Sequence, residues 1–102
     1  MYATMRHYPG IAPRVLNMWL SHQPEIAALH RHIPGFVQYD LMRTAEGVTT
    51  LTVCTDRLGA EVANMSVAAW IEVNLPALLT PAPVIMGGED LVHISAEPRA
   101  PA

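Results

Sequence analysis

The chain has 102 residues, which suits one compact domain that buries about two thirds of the surface its unfolded form exposes. Hydrophobic residues make up 51% and charged ones 15%, more apolar surface than so small a core can hide, so a second subunit is expected to cover the surplus. The net charge is −3 and the basic residues are arginines alone, scattered from Arg6 to Arg99, which excludes the clustered positive charge that nucleic acid or an anionic membrane surface requires.

In chain order, "MYATMRHY" alternates as a short strand, with Tyr2, Thr4, Arg6 and Tyr8 on one face and Met1, Ala3, Met5 and His7 on the other. "PGIAP" turns the chain, and Pro13 is placed to open a helix where its missing N–H costs nothing. That helix is expected from Pro13 to about His32. Val15, Trp19, His22, Ile26, Leu29 and Ile33 form one stripe, widened by Leu16 and Leu20. Pro24 lies inside it and predicts a kink or two helical pieces, with Ser21 as a cap for the second.

"PGFVQYDLMRT" restarts as a strand, "AEG" turns, and "VTTLTVCTD" returns as its hairpin partner. Asp56 then caps a second helix over "RLGAEVANMSVAAWIEVNL". Its rows are Val62, Met65, Ala69 and Val73, and beside them Val67, Trp70, Ile71 and Asn74. Pro76, Pro81 and Pro83 forbid continuation, and "VIMGGEDLVHI" is a last strand with a bulge or break at Gly87-Gly88. Residues 1–94 therefore read as a single domain and residues 95–102 as a flexible tail.

This order, β-α-β-β-α-β, is the α+β ferredoxin-like arrangement: an antiparallel sheet with two helices on one face. Ala3, Met5, Val37, Leu41, Leu51 and Val53 are assigned to the helices. The mixed face (Tyr2, Thr4, Arg6, Phe36, Gln38, Thr50, Thr52 and Cys54) is assigned to a two-fold copy of the sheet. A lone cysteine allows no internal disulfide and suits a reducing compartment. There is no apolar run of signal-peptide length and none near the roughly 20 residues of a membrane span, so a soluble cytoplasmic protein is expected.

His30 and His32 bracket an arginine and suggest metal ligation. Two residues along a helix differ by about 200°, however, and helical metal pairs need a spacing of three or four. They are read as helix-end residues that complement the dipole, and no metal is expected.

The runs "IPGFVQYDLMRTAEGVTTLTVCTD", "GAEVANMSVAAWIEVNL" and "VIMGGEDLVHI" resemble the antibiotic biosynthesis monooxygenase superfamily, over residues 1 to about 94. The shared features are the Pro-Gly-aromatic strand start, the short hairpin, an Asn ahead of an Ala-Trp pair, and a Gly-Glu lead into Leu-Val-His. The resemblance implies a homodimeric α+β barrel with any pocket between sheet and helices. It implies either cofactor-independent oxidation of an aromatic or quinonoid compound, or haem degradation. The haem-degrading type needs an Asn on the first strand, where this chain has Arg6 and His7, and a helical His after the Trp, where it has only His93 on the last strand.

The expected function is therefore a cofactor-independent monooxygenase acting on a small aromatic compound, with no cofactor. Trp70 flanks the substrate, and His22 or His93 takes a phenolic proton. Asn64 or Asn74, together with Tyr39, holds the oxygen. The alternative is a non-catalytic dimeric module that binds a ligand or serves a structural role, its cavity small or self-filled.

Overall fold

Two prolines decide how the first helical segment is built. Pro13 stands at the first position of α1 (Pro13–Ser21), and Pro24 stands in the first turn of α2 (Gln23–Arg31). A proline is tolerated there because first-turn N–H groups have no intrahelical acceptor. The single expected helix is thus two nine-residue pieces broken at His22, whose φ of −99° and ψ of 10° leave the helical region. Ser21 does not cap α2; its hydroxyl donates back to the Met18 carbonyl at 2.6 Å.

This computed structural model describes residues 1–96, so the expected tail falls outside the described residues from residue 97 onward. The remaining elements are β1 (Tyr2–Pro9), β2 (Phe36–Thr44), β3 (Gly47–Cys54), α3 (Arg57–Asn74), a short 3-10 turn (Pro76–Leu79) and β4 (Val84–Glu89). The sheet runs β2-β3-β1-β4 with every pair antiparallel, the ferredoxin-like order. β4 pairs with β1 in unbroken register through Gly87 and Gly88 and stops at Glu89. The expected bulge there is absent and the strand does not reach His93.

The bulge lies instead in β2, where the register shifts between Phe36 and Gln38. Simple alternation would put Phe36 and Tyr39 on opposite faces. One extra residue brings both to the helix side and leaves Val37 exposed. Rows can then be read across the sheet: Tyr2-Cys54-Phe36, Thr4-Thr52-Tyr39, Arg6-Thr50-Leu41 and Tyr8-Val48-Arg43. Thr4, Arg6, Tyr8, Thr50 and Thr52 of this face are buried beneath the helices.

The expected face assignment is therefore inverted for β1 and β3. The mixed polar face meets the helices, while Ala3, Met5, Leu51 and Val53 look outward beside Met86 of β4. Tyr39 and Leu41 fall on the helix side as expected; Val37 does not.

α3 packs on β1 and β3, and α2 packs on β2 and α3. The Asp56 carboxylate accepts from the Gly59 N–H at 2.8 Å, a cap of about 0.5–2 kcal/mol. The buried line of α3 is Gly59, Ala60, Ala63, Val67 and Ile71; Val67 and Ile71 come from one of the two expected rows, while Met65 and Val73 of the other are exposed. Small residues lead that line because the helix start lies against the α2–β2 connection. A Cβ on Gly59 would sit 2.8 Å from the Pro34 carbonyl oxygen.

Burial produces two apolar clusters. Tyr8, Leu16, Trp19, Val48, Val67, Ile71, Leu75 and Leu78 fill one end; Ile33, Cys54, Ala60 and Ala63 fill the other. The two middle rows of the sheet, with Thr4, Arg6, Thr50, Thr52 and Tyr39, lie between them. The domain is apolar at its ends and polar at its waist.

Candidate functional site

Arg6 occupies that waist. It is 6% exposed, its Nη1 donates to the Asn64 carbonyl at 3.3 Å, and its Nε has no partner. A guanidinium keeps its charge under all ordinary conditions, and among the described residues no carboxylate pairs with it. A buried cation without a counter-charge costs several kcal/mol, so its retention calls for a reason. Tyr8 lies beside it, with the guanidinium carbon 5.8 Å from the ring centroid. Burial pushes the Tyr8 phenol up, against an opposing pull from Arg6.

His30 closes the waist from above. It follows Ile26 by one helical turn, so the two share the buried stripe of α2, and its residue is 1% exposed. Its Nδ1 lies 2.8 Å from the Ile26 carbonyl oxygen. A carbonyl only accepts, so Nδ1 carries the hydrogen and Nε2 presents a lone pair. That Nε2 is buried without a partner, and burial holds the imidazole below its ordinary pKa, chiefly by desolvation. The ring is therefore neutral near pH 7, a base with an unused acceptor.

Tyr39 completes the group. Its ring lies 4.4 Å from that of His30 at a 34° tilt, with Phe36 5.1 Å away on the same imidazole. Its hydroxyl is buried and unpartnered, and desolvation raises its pKa far above the ordinary value, so it remains a neutral donor. Trp19, edge-on to Tyr8 at 5.0 Å, carries a fifth unpartnered buried atom, its indole nitrogen. Three of the five belong to the waist, the Arg6 Nε, the His30 lone pair and the Tyr39 hydroxyl, while the Tyr8 hydroxyl and the Trp19 indole nitrogen belong to side chains of the neighbouring apolar cluster. A cleft of about 360 Å³ between α2 and β2 reaches His30 and Tyr39 but not Arg6, walled by Ala27, His30 and Arg31 on one side and residues 36–39 on the other.

No protein-family model and no curated protein matches the sequence. Solved structures do match. The monooxygenase from the gene ActVA-Orf6 of Streptomyces coelicolor, determined in complex with the ligand nanaomycin D, superposes with a TM-score of 0.71 at 14% identity, over 94% of this chain and 92% of that one. The chain shares the fold of this protein. A cofactor-independent oxygenase from Streptomyces nogalater, SnoaB, matches at 19% identity and a TM-score of 0.52, over 99% of this chain and 96% of that one. A dimeric ferredoxin-like protein from an uncultured marine organism matches at 9% identity and 0.67, over 93% and 98% of the two chains.

Within this fold the residues expected from sequence fall in different places. Tyr39 lines the cleft; His22, Asn64, Trp70, Asn74 and His93 do not. His22 and Trp70 do meet, edge-on at 5.3 Å, but outside the waist, where Glu25 joins them. The Trp70 indole N–H donates to Glu25 Oε2 at 3.1 Å, and His22 Nδ1 lies 3.0 Å from Oε1. His22 first and Trp70 second hold the Glu25 carboxyl below its usual range. The Asn74 amide donates to the Trp70 carbonyl at 2.9 Å. Asn64 contributes its backbone oxygen to Arg6. His93 stands beyond β4, half-exposed, 3.6 Å from Asp90. Cys54 is fully buried, its thiol pushed up by desolvation and by Asp56, which does not suit a nucleophile.

Arg6 and His30 were not among the expected site residues. Each carried a signal. Arg6 alternates with Thr4 and Tyr8 on a strand face whose neighbouring strand β3 offers threonines, and His30 falls one turn after a core isoleucine.

Proposed function

We propose that this chain is a cofactor-independent monooxygenase acting on a small phenolic or quinonoid compound held between α2 and β2. The observation that carries the reading is the neutral His30, whose only free nitrogen is an unpartnered acceptor in the same layer as the unpaired Arg6 and the Tyr39 hydroxyl. That set complements a phenol about to ionise. His30 Nε2 accepts the phenolic proton, and Arg6 with Tyr39 stabilises the phenolate oxygen.

The electrons then come from the substrate. The phenolate adds O₂ at a ring carbon, and the proton held on His30 returns to the outer peroxide oxygen. Loss of the ring hydrogen with cleavage of the O–O bond leaves a quinone carbonyl and one water. One oxygen atom enters the product and the other leaves as water. The bulge in edge strand β2 gives the segment carrying Phe36 and Tyr39 room to shift as the ligand seats. A homodimer belongs to the proposal. The outward sheet face presents Met5, Leu51 and Met86, an apolar surface that a second sheet would cover, and a structural neighbour is itself described as dimeric.

Oxygen uptake with dihydroxynaphthalenes tests the reading. Turnover above the uncatalysed background, lost in a folded His30→Gln variant, supports it; background-level uptake by the wild type rejects it. The alternative, a dimeric binding module, is favoured by one observation: Arg6, Tyr8 and His30 are all at most 6% exposed, which leaves these groups little free surface for a reaction. Tight phenol binding without oxygen uptake would decide for it.

A further inference from the structure

The proposed function accounts for the inner layer but leaves the mouth of the cleft unexplained. Arg31 stands there as the last residue of α2, exposed, and forms one wall together with Ala27. Among the described residues it has no ion-pair partner, and no carboxylate contributes to the cleft walls. The nearest acidic residue along β2, Asp40, sits on the outer side of the sheet row and already receives the Gln38 amide. In a chain of net charge −3, the cleft therefore has a cation at its mouth, Arg31, and no carboxylate among its lining residues, while Arg6 lies in the waist and does not line it.

Part of the Arg31 charge complements the C-terminal carbonyls of α2, but that use is weak and leaves the guanidinium fork open. A planar guanidinium at the rim of an aromatic-walled slot recognises a carboxylate bidentately. The slot is small: 360 Å³ lies near the low end of the range of about 300–1,000 Å³ for small-molecule sites, which suits one or two fused rings.

We infer that the substrate is an aromatic acid, a hydroxyaryl carboxylate whose hydroxyl enters toward His30 and Tyr39 while its carboxylate stays at the mouth on Arg31. This rests on the reading of the cleft as the substrate site and adds the charge and polarity of the molecule that fits it. A neutral phenol would satisfy the inner groups alone. An acid without the hydroxyl would satisfy only the rim.

Calorimetric titration with three probes separates these. They are 6-hydroxy-2-naphthoate, 2-naphthol, which lacks the carboxylate, and 2-naphthoate, which lacks the hydroxyl. The hydroxy acid is expected to bind about tenfold more tightly than either, the scale of one charge-assisted hydrogen-bonded contact. Arg31→Gln, at an exposed helix end, should remove the advantage over 2-naphthol and leave 2-naphthol affinity unchanged. Raising the salt from low to high concentration should weaken the acids and not the naphthol. If the wild type binds 2-naphthol as well as the hydroxy acid, or if Arg31→Gln weakens all three alike, the inference is overturned while the cleft remains a phenol site. If none of the three binds, the inference and the proposed function fall together.

Discussion

Tyr39→Phe separates a ligand-binding hydroxyl from a structural one. A buried hydroxyl that stabilises the fold must have a partner in the fold, and the Tyr39 hydroxyl has none. Its burial imposes a desolvation penalty of about 1–3 kcal/mol that no protein hydrogen bond offsets. Phenylalanine keeps the ring, and with it the 4.4 Å packing against His30. The variant should therefore be more stable than the wild type by about 1 kcal/mol, which for a domain of this size raises Tm by roughly 4–8 °C. Binding of a phenolic ligand should move the other way, weakening about tenfold as the phenolate loses a donor. Urea unfolding followed by tryptophan fluorescence, with titration of 2-naphthol on the same preparations, gives both numbers. A Tyr39→Phe protein that is destabilised by 1 kcal/mol or more would show that the hydroxyl serves the fold, and the layer would lose its claim to be a site.

The His30 imidazole, held below its ordinary pKa by burial, binds a proton less readily folded than unfolded. Stability should be level above about pH 6.5, the unfolded value, and fall as the pH drops from there toward the folded pKa. Urea midpoints at a series of pH values should show this fall in the wild type and a shallower one in His30→Gln. The burial line of α3 predicts that Ile71→Ala costs about 2–5 kcal/mol in chemical denaturation. Val73→Ala, on the expected but exposed row, should stay within about 0.5 kcal/mol. Met5→Asp, on the outward face, should give a folded protein by circular dichroism that sediments as a monomer; an unchanged dimer would move the interface elsewhere.

The element order, the Pro13 start, the Asp56 cap and the hairpin were legible because each depends on a local signal: a ring that fixes φ, a side-chain acceptor, a run of β-branched residues. The faces of the sheet were not. Apolar residues normally mark the core, so Met5 and Leu51 were assigned inward and Arg6 outward. In this chain the interior needs polar groups and the exterior offers apolar ones, which reverses the rule wherever a site lies inside and a partner outside. The bulge after Phe36 compounded the error, because a one-residue shift leaves no trace in a pattern of period two. His30 was set aside by an argument that was sound about metal geometry, since it cannot share a metal with His32. That argument said nothing about the neighbour that matters, Ile26, whose carbonyl fixes its tautomer.

The proline that splits the first helical segment also governs access. An isolated helix shorter than about 12–15 residues barely holds in water, and α2 has nine, of which only Ile26 and His30 are buried. The imidazole is thus one of few anchors of this wall, beside Ile26, the half-buried Leu29 and the Trp70–Glu25 hydrogen bond to α3. If the proposed ligand engages the ring, it would compete with the wall's own docking, and entry would then be tied to transient release of α2. The amide hydrogens of α2 should exchange earlier than those of the long, continuous α3. On the proposed reading, their opening rate would be the upper limit on how fast the cleft fills, a clock set by Pro24.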